Sequence, residues 1–167
     1  MRTITPESAL KRLADAAARA EMCPADAAAR LKRWGILSAD AARIIARLTD
    51  EGYISPERYA SAYVRDKYRF AGWGRRKIAL GLAAKRIDRA IIAEALDEAV
   101  DADEYRARLV AVLRAKARTL RADLIATYEG KQKLYIFAAS RGFESGIISS
   151  VLSTQASEVW PEQSSTD

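Results

Sequence analysis

A chain of 167 residues, half of them apolar and 30% charged, has the material for one domain or for a few small units sharing a core. Its 28 Lys and Arg outnumber its 22 Asp and Glu, and the net charge of +6 and pI near 9.6 favour anionic partners, nucleic acid first. There is no His and one Cys, Cys23, which excludes the usual zinc sites, Cys–His and Ser–His–Asp nucleophile systems and any disulfide within the chain.

In chain order, Thr5-Pro6-Glu7 is a helix start, a capping hydroxyl followed by Pro at the first helical position. Leu10, Leu13 and Ala17 follow on one face. Pro24 ends that helix or begins the next, which carries Leu31 and stops at Trp34-Gly35. Ser38 is expected to cap a third helix through Ile44, Ile45 and Leu48, ended by Gly52.

The pattern then restarts. Ser55-Pro56-Glu57 is a second capped start, with Tyr59, Tyr63 and Val64 on one side. The helix after Gly74 carries Ile78 and Leu82, and Asp88 caps the next, with Ile87 placed to staple against Ile92 and with Ile91, Ile92, Ala95 and Leu96 buried. A third round begins near Asp101. One long helix is expected to about Thr127, broken by Gly130, then a short helix through Leu134 and Ala138 to Arg141-Gly142, then one with Ile147, Ile148, Val151 and Leu152. Nothing alternates with period two, so the expected fold is all-α, with about nine helices and no sheet.

The second and third rounds align without a gap at a constant offset. Gly74 falls on Gly130, Lys77 on Lys133, Ile78 on Leu134, Ile87 on Phe143, Ile91-Ile92 on Ile147-Ile148 and Leu96 on Leu152. The first round is a weaker copy. These are three tandem three-helix repeats, expected over 1–54, 55–100 and 101–155, followed by a polar tail over 156–167. One such unit can scarcely bury its own apolar face, and stacked neighbours give a continuous core and an elongated array.

Charge is concentrated. Residues 65–89 hold nine Lys and Arg against two acids, and residues 105–141 hold the same. Both clusters span the end of a first helix, the turn after it and the start of a second. Arg75, Arg76 and Lys77 stand where a helix N-terminus favours acids, with Lys131 and Lys133 as counterparts. An unfavourable choice made twice suggests an anion docked there, held by Lys, Arg and helix amides together. Against this stands the ordinary solvated helix face. Trp73 fits a packing residue ahead of the helix better than a base-stacking one, and Cys23 fits a small apolar filler.

Catalytic groups do not converge. Tyr128-Glu129-Gly130-Lys131 lacks the upstream Gly and the Ser/Thr of a phosphate loop, and the acids of 94–104 lack the spacing of a calcium loop. No cofactor, metal or enzymatic activity is expected. The start Met1-Arg2-Thr3-Ile4 lacks the apolar run of a signal peptide, and the longest uncharged stretch, Ser145 to Ser157, is too short to span a bilayer. A lone Cys suits a reducing cytosol, so a cytoplasmic protein is expected.

The segment from Tyr53 to Leu96 resembles the signature region of the RecX family, the bacterial regulatory proteins that modulate the RecA recombinase. The matching residues are Glu57-Arg58-Tyr59-Ala60, Tyr63-Val64, Lys67, Arg69, Trp73-Gly74-Arg75-Arg76-Lys77-Ile78, Leu82, Lys85, Ile87 and Ile91 through Leu96. The likeness continues more weakly through the third round and faintly through the first. This chain departs from the family at Ser55-Pro56, at Gly81 and at Arg86, where the family often has Gly. Arg86 would strain a left-handed turn unless the turn differs. The resemblance implies an elongated array of three-helix repeats that binds the RecA filament on single-stranded DNA and lies in its groove. It also implies a fall in RecA ATPase, filament extension and strand exchange, and hence a place in DNA repair and homologous recombination.

The contacts expected are Arg65, Lys67, Arg69, Arg75, Arg76 and Lys77, then Arg118, Arg121, Lys131 and Lys133, reaching acidic RecA surface or DNA backbone. Reversing Arg75, Arg76 and Lys77 to Glu is expected to weaken binding without unfolding the chain. The expected partners are thus RecA and single-stranded DNA, direct or through the filament, with no membrane and the chain a monomer. The alternatives are a sequence-tolerant helical DNA-binding protein without a recombinase partner, and a structural adaptor that binds neither. Against a base reader, no helix has an Arg/Asn/Gln-rich face.

Overall fold

The structure is a computed structural model in which residues 4–154 and Val159 are described. The described residues form ten helices and no strand. In order these are α1 (Pro6–Arg19), α2 (Pro24–Arg33), α3 (Ser38–Asp50), α4 (Pro56–Arg69), α5 (Arg75–Ala84), α6 (Arg89–Ala99), α7 (Ala102–Ala117), α8 (Ala122–Ile125), α9 (Tyr128–Ser140) and α10 (Ser145–Thr154). None of them is long and apolar enough to cross a membrane. The tail expected over 156–167 lies outside the described residues apart from Val159, which is helical and buried.

The starts follow local chemistry. Thr5 Oγ1 accepts from Ser8 N–H at 3.3 Å, Ser55 Oγ from Arg58 N–H at 3.2 Å, and Asp88 Oδ1 from Ala90 N–H at 2.8 Å. Asp101 Oδ1 takes both Asp103 and Glu104 N–H. Pro24 begins α2, and Cys23 is more than a filler, since its Sγ accepts from Asp26 N–H at 3.4 Å. One cap is corrected. Ser38 is the first residue inside α3, the flanking position belongs to Leu37 with extended backbone, and no side chain caps that end. A side chain can accept from the first free amides only from outside the helix, and Ser38 is already inside.

The repeat is visible in the turns that end α2, α5 and α9. The N–H of Ile36 donates to Leu31 O and that of Gly35 to Lys32 O. Ile87 and Arg86 repeat the pair on Leu82 and Ala83, and Phe143 and Gly142 on Ala138 and Ala139, all within 2.9–3.2 Å. Each turn buries its apolar residue, Ile36, Ile87 or Phe143. The residue before it is left-handed, Gly35 at φ 78°, Arg86 at 58° and Gly142 at 94°. Arg86 therefore adopts the geometry that the other two turns reach with Gly.

The long third-round helix is corrected. It stops at Ala117, and a turn through Thr119 and Leu120 leads to the short α8. Nor does Gly130 break a helix. It lies in the first turn of α9, where Thr127 Oγ1 accepts its N–H at 3.2 Å. A Cβ there would collide with Leu124 O and stand 2.9 Å from Ile125 O. The glycine lets α9 pass close to α8, which is why it sits inside a helix despite its low propensity.

Contacts group the chain into two compact units. Unit 1 is the chain through Arg65 together with Gly81–Ala95; unit 2 is Asp66–Leu80 together with the chain from Leu96 onward. In unit 1, α1 and α2 pack on α3, and Ala9, Leu13, Ala27, Leu31, Leu48 and Ile54 are almost fully buried. In unit 2, α7, α9 and α10 pack on one another and α8 on α9, over Leu109, Leu113, Leu134, Ala138, Ile148 and Val151. Each fully buried Leu or Ile contributes about 1.5–3 kcal/mol.

Candidate functional site

The start of α5 lies in unit 2, and the structure explains its three cations. The N–H of Gly74 donates to Arg141 O at 2.7 Å, that of Arg75 to Tyr105 Oη at 3.0 Å and that of Arg76 to Gly142 O at 2.9 Å. Two of these acceptors are carbonyls of the turn that ends α9. A helix N-terminus carries partial positive charge and a C-terminus partial negative charge, so each offsets the other. Tyr105 Oη in turn donates to Glu144 Oε2 at 2.6 Å, which brings a carboxylate within two hydrogen bonds of the helix start. Burial and the Glu144 hydrogen bond push the Tyr105 phenol far above its ordinary pKa.

Close approach demands small residues. A Cβ on Gly74 would stand 2.5 Å from Phe143 N, and one on Gly142 would stand 2.6 Å from Lys77 N. The two backbones touch where any side chain would separate them. The expectation that these amides help to hold an outside anion is thereby corrected. The first three already have acceptors inside unit 2, so recognition falls to side chains.

Those side chains divide. Arg75 is engaged within the unit: its Nη1 lies 3.0 Å from Asp97 Oδ1, its Nη2 donates to Val100 O at 3.1 Å, and its guanidinium lies over the Tyr105 ring. Reversing Arg75 together with Arg76 and Lys77 would remove these contacts, so the triple change is not neutral to the fold. Arg76 and Arg69 are exposed. The ammonium groups of Lys67 and Lys77 lie 5.2 and 4.5 Å from the ring centre of the half-buried Trp73. Trp73 thus acts as a cation platform, each contact worth about 0.5–1 kcal/mol where solvent reaches it. Arg65 is exposed and belongs to unit 1, its Nε 3.3 Å from Ser61 O.

The second basic cluster has a different geometry. Arg75, Arg76 and Lys77 open α5, whereas α9 begins with Tyr128-Glu129-Gly130, an acid in its first turn. Lys131 and Lys133 come later, Lys131 exposed and Lys133 Nζ 2.8 Å from Glu129 Oε1. Arg118 is exposed just after α7, and Arg121 pairs with Asp123 at 2.8 Å. The two clusters match along the sequence but not in helical position, because α9 starts a turn earlier than α5.

In unit 1, Lys85 near the end of α5 meets Asp26 of α2 at 2.8 Å. Burial raises the Asp26 pKa, but the Lys85 ammonium and the Cys23 thiol outweigh it, and the carboxyl stands below its ordinary value. Several apolar side chains are exposed against expectation, chief among them Phe70, Tyr128 and Leu37. Tyr128 could have been found, since it falls two places off the buried line Gly130-Leu134-Ala138. Among the described residues no cluster of ligating side chains is arranged for a metal ion.

Residues 57–96 match the family described as RecX, second three-helix domain, and residues 103–152 match RecX, third three-helix domain. Together they cover just over half of the chain. A regulatory protein RecX of Mycolicibacterium smegmatis is 32% identical over 116 residues, 68% of this chain and 61% of that protein. One from Mycobacterium sp. strain KMS is 31% identical over 99 residues, 59% of this chain and 54% of that protein. The matched part thus spans a little over half the length of these relatives. Among solved structures, RecX from Lactobacillus salivarius superposes with a TM-score of 0.73 at 22% identity, covering 87% of this chain and 96% of that one. A crystal structure titled regulatory protein RecX gives 0.76 at 19% identity, covering 88% and 71%. The solved structures share the fold, the sequence matches carry the relationship, and the chain belongs to the RecX family.

Proposed function

We propose that this protein is a regulator of the RecA recombinase that binds the RecA filament on single-stranded DNA and restrains ATP hydrolysis, filament extension and strand exchange. The observation that carries the reading is the match of two successive three-helix segments to the RecX domains, in relatives named regulatory proteins. In this reading the protein acts by binding, without a catalytic step of its own. The contacts are Arg65, Lys67, Arg69, Arg76 and Lys77, then Arg118, Arg121, Lys131 and Lys133, which meet acidic RecA surface or DNA phosphates. Arg75 holds the backbone from which Arg76 and Lys77 project. Several weak contacts on one chain act together, each raising the effective concentration of the next.

The test is the ATPase rate of RecA from the same organism on single-stranded DNA, titrated with this protein. Inhibition at or below one regulator per recombinase subunit is expected. The double variant R76E/K77E, which spares Arg75, should need at least about tenfold more protein for the same inhibition while keeping its helical circular dichroism. An unchanged ATPase rate across the titration overturns the reading. Salt-steep, sequence-blind binding to bare DNA without any effect on the recombinase would then favour a helical DNA-binding protein, the second reading that the basic clusters support.

A further inference from the structure

On α9, the residues Tyr128, Lys131, Gln132 and Tyr135 follow one another at i, i+3, i+4 and i+7, which places them on one face. With Ser149 and Leu152 of α10 they line an open cleft of about 390 Å³ in unit 2. Tyr128 is 80% exposed and Tyr135 is half-buried. The core of unit 2 does not explain them, because the buried line of α9 is Gly130, Leu134 and Ala138. Exposed rings beside a cation and an amide suit few ligands. The rings offer flat faces for stacking, Lys131 a point charge for phosphate, and Gln132 a donor and an acceptor for a base edge. The surrounding segment 105–141 carries nine bases against two acids, so the cleft lies in a field that draws polyanions.

We infer that this cleft is a stacking site for the bases of single-stranded nucleic acid. Seven residues along a helix separate the two rings by roughly 10 Å along its axis. That is too far to clamp one base between them, so each ring takes its own base from a strand running along α9, with Lys131 on the backbone between them. Any base can stack on a tyrosine, so the site is blind to sequence, in keeping with the lack of a base-reading helix face. The inference deepens the nucleic-acid side of the function proposed above, and its test uses no recombinase, so that either can fail alone.

The experiment measures fluorescence anisotropy of the full chain with two labelled oligomers of about twenty units, one oligothymidylate and one made wholly of abasic sites. The phosphates are equal and only one carries bases. Wild type should prefer the thymidylate by at least about 30-fold. The double variant Y128A/Y135A should lose that preference yet keep the salt dependence, while Y128F/Y135F should retain it, since phenylalanine stacks equally well. Lys131→Ala should instead lower the slope of log K against log salt by about 0.7, the share of one phosphate on a single strand. Equal affinity for both oligomers, no binding to either, or a preference that survives in Y128A/Y135A overturns the site. The last result would mean that the bases stack elsewhere on the protein. Inhibition of RecA measured on the same variants is read separately and bears only on the filament reading.

Discussion

Arg86 holds its turn at φ 58°, a left-handed conformation that costs a side-chain-bearing residue about 1–2 kcal/mol. Glycine would remove that cost but would lose about 0.5–1 kcal/mol more entropy on folding. The difference makes Arg86→Gly stabilising by roughly 0.5–1 kcal/mol, visible as a higher urea midpoint with an unchanged slope. At the start of α5 two neighbouring cations should behave oppositely. Arg75→Ala removes a carbonyl contact and a half-exposed ion pair, a loss of about 1–2 kcal/mol, with the hydrogen bond to Val100 contributing more than the half-exposed pair with Asp97. Arg76→Ala should change stability by less than about 0.5 kcal/mol and act on partner binding instead. Denaturation of both, beside the ATPase titration, separates a residue that holds the site from one that uses it.

At the level of elements, what could be read in advance was what depends on near neighbours. Caps at Thr5, Ser55, Asp88 and Asp101, apolar spacing along each helix and the helix-ending turns all involve residues within five positions of one another. The third round went astray because Gly130 is ambiguous. A glycine after an apolar run reads as a stop, whereas here it answers to the backbone of α8, which only the folded chain brings near. Gly130→Ala is the decisive change: helix propensity gains up to about 1 kcal/mol, but the new methyl meets backbone that cannot swing aside. A net loss of about 1–2 kcal/mol is expected in urea titration, and a gain would mean that α9 can shift away from α8. The occupied amides of α5 were hidden for the same reason, since the nearest of their acceptors, Tyr105, stands 30 residues away and the other two lie beyond it at Arg141 and Gly142. The candidate contacts were legible as charge in the sequence, but which cations are free to reach outward was not. That depends on Asp97, Val100 and Trp73 lying beside them.

For the molecule as a whole, unit 2 contains an alkaline weakness centred on Tyr105. Its phenol keeps its proton to higher pH in the folded chain than in the unfolded one. Below the ordinary phenol pKa of about 10 the stabilisation is complete, and above it the unfolded chain ionises first, so stability falls as pH rises. Tyr59 and Tyr68 shift the same way through burial and add to the slope. Tyr105→Phe should lose about 1–3 kcal/mol at neutral pH, because Arg75 N–H and Glu144 are left without their shared hydroxyl. Its melting temperature should then fall less steeply than that of the wild type between about pH 9 and 11. Parallel melting curves would show that Tyr105 ionisation does not govern the alkaline transition.

The amides that open α5 also set an order of events during synthesis. Arg76 reaches the ribosome exit well before Gly142, which must supply its acceptor. At about 5–20 residues per second the gap is roughly 3–13 seconds. Through that interval Gly74 and Arg76 lack their acceptors, while Arg75 waits only for Tyr105, and three adjacent cations stand beside a helix end whose positive pole the turn after α9 does not yet offset. A nascent chain halted short of Arg141 would therefore present its most basic turn loosely held, and only the turn between α9 and α10 would set it in place.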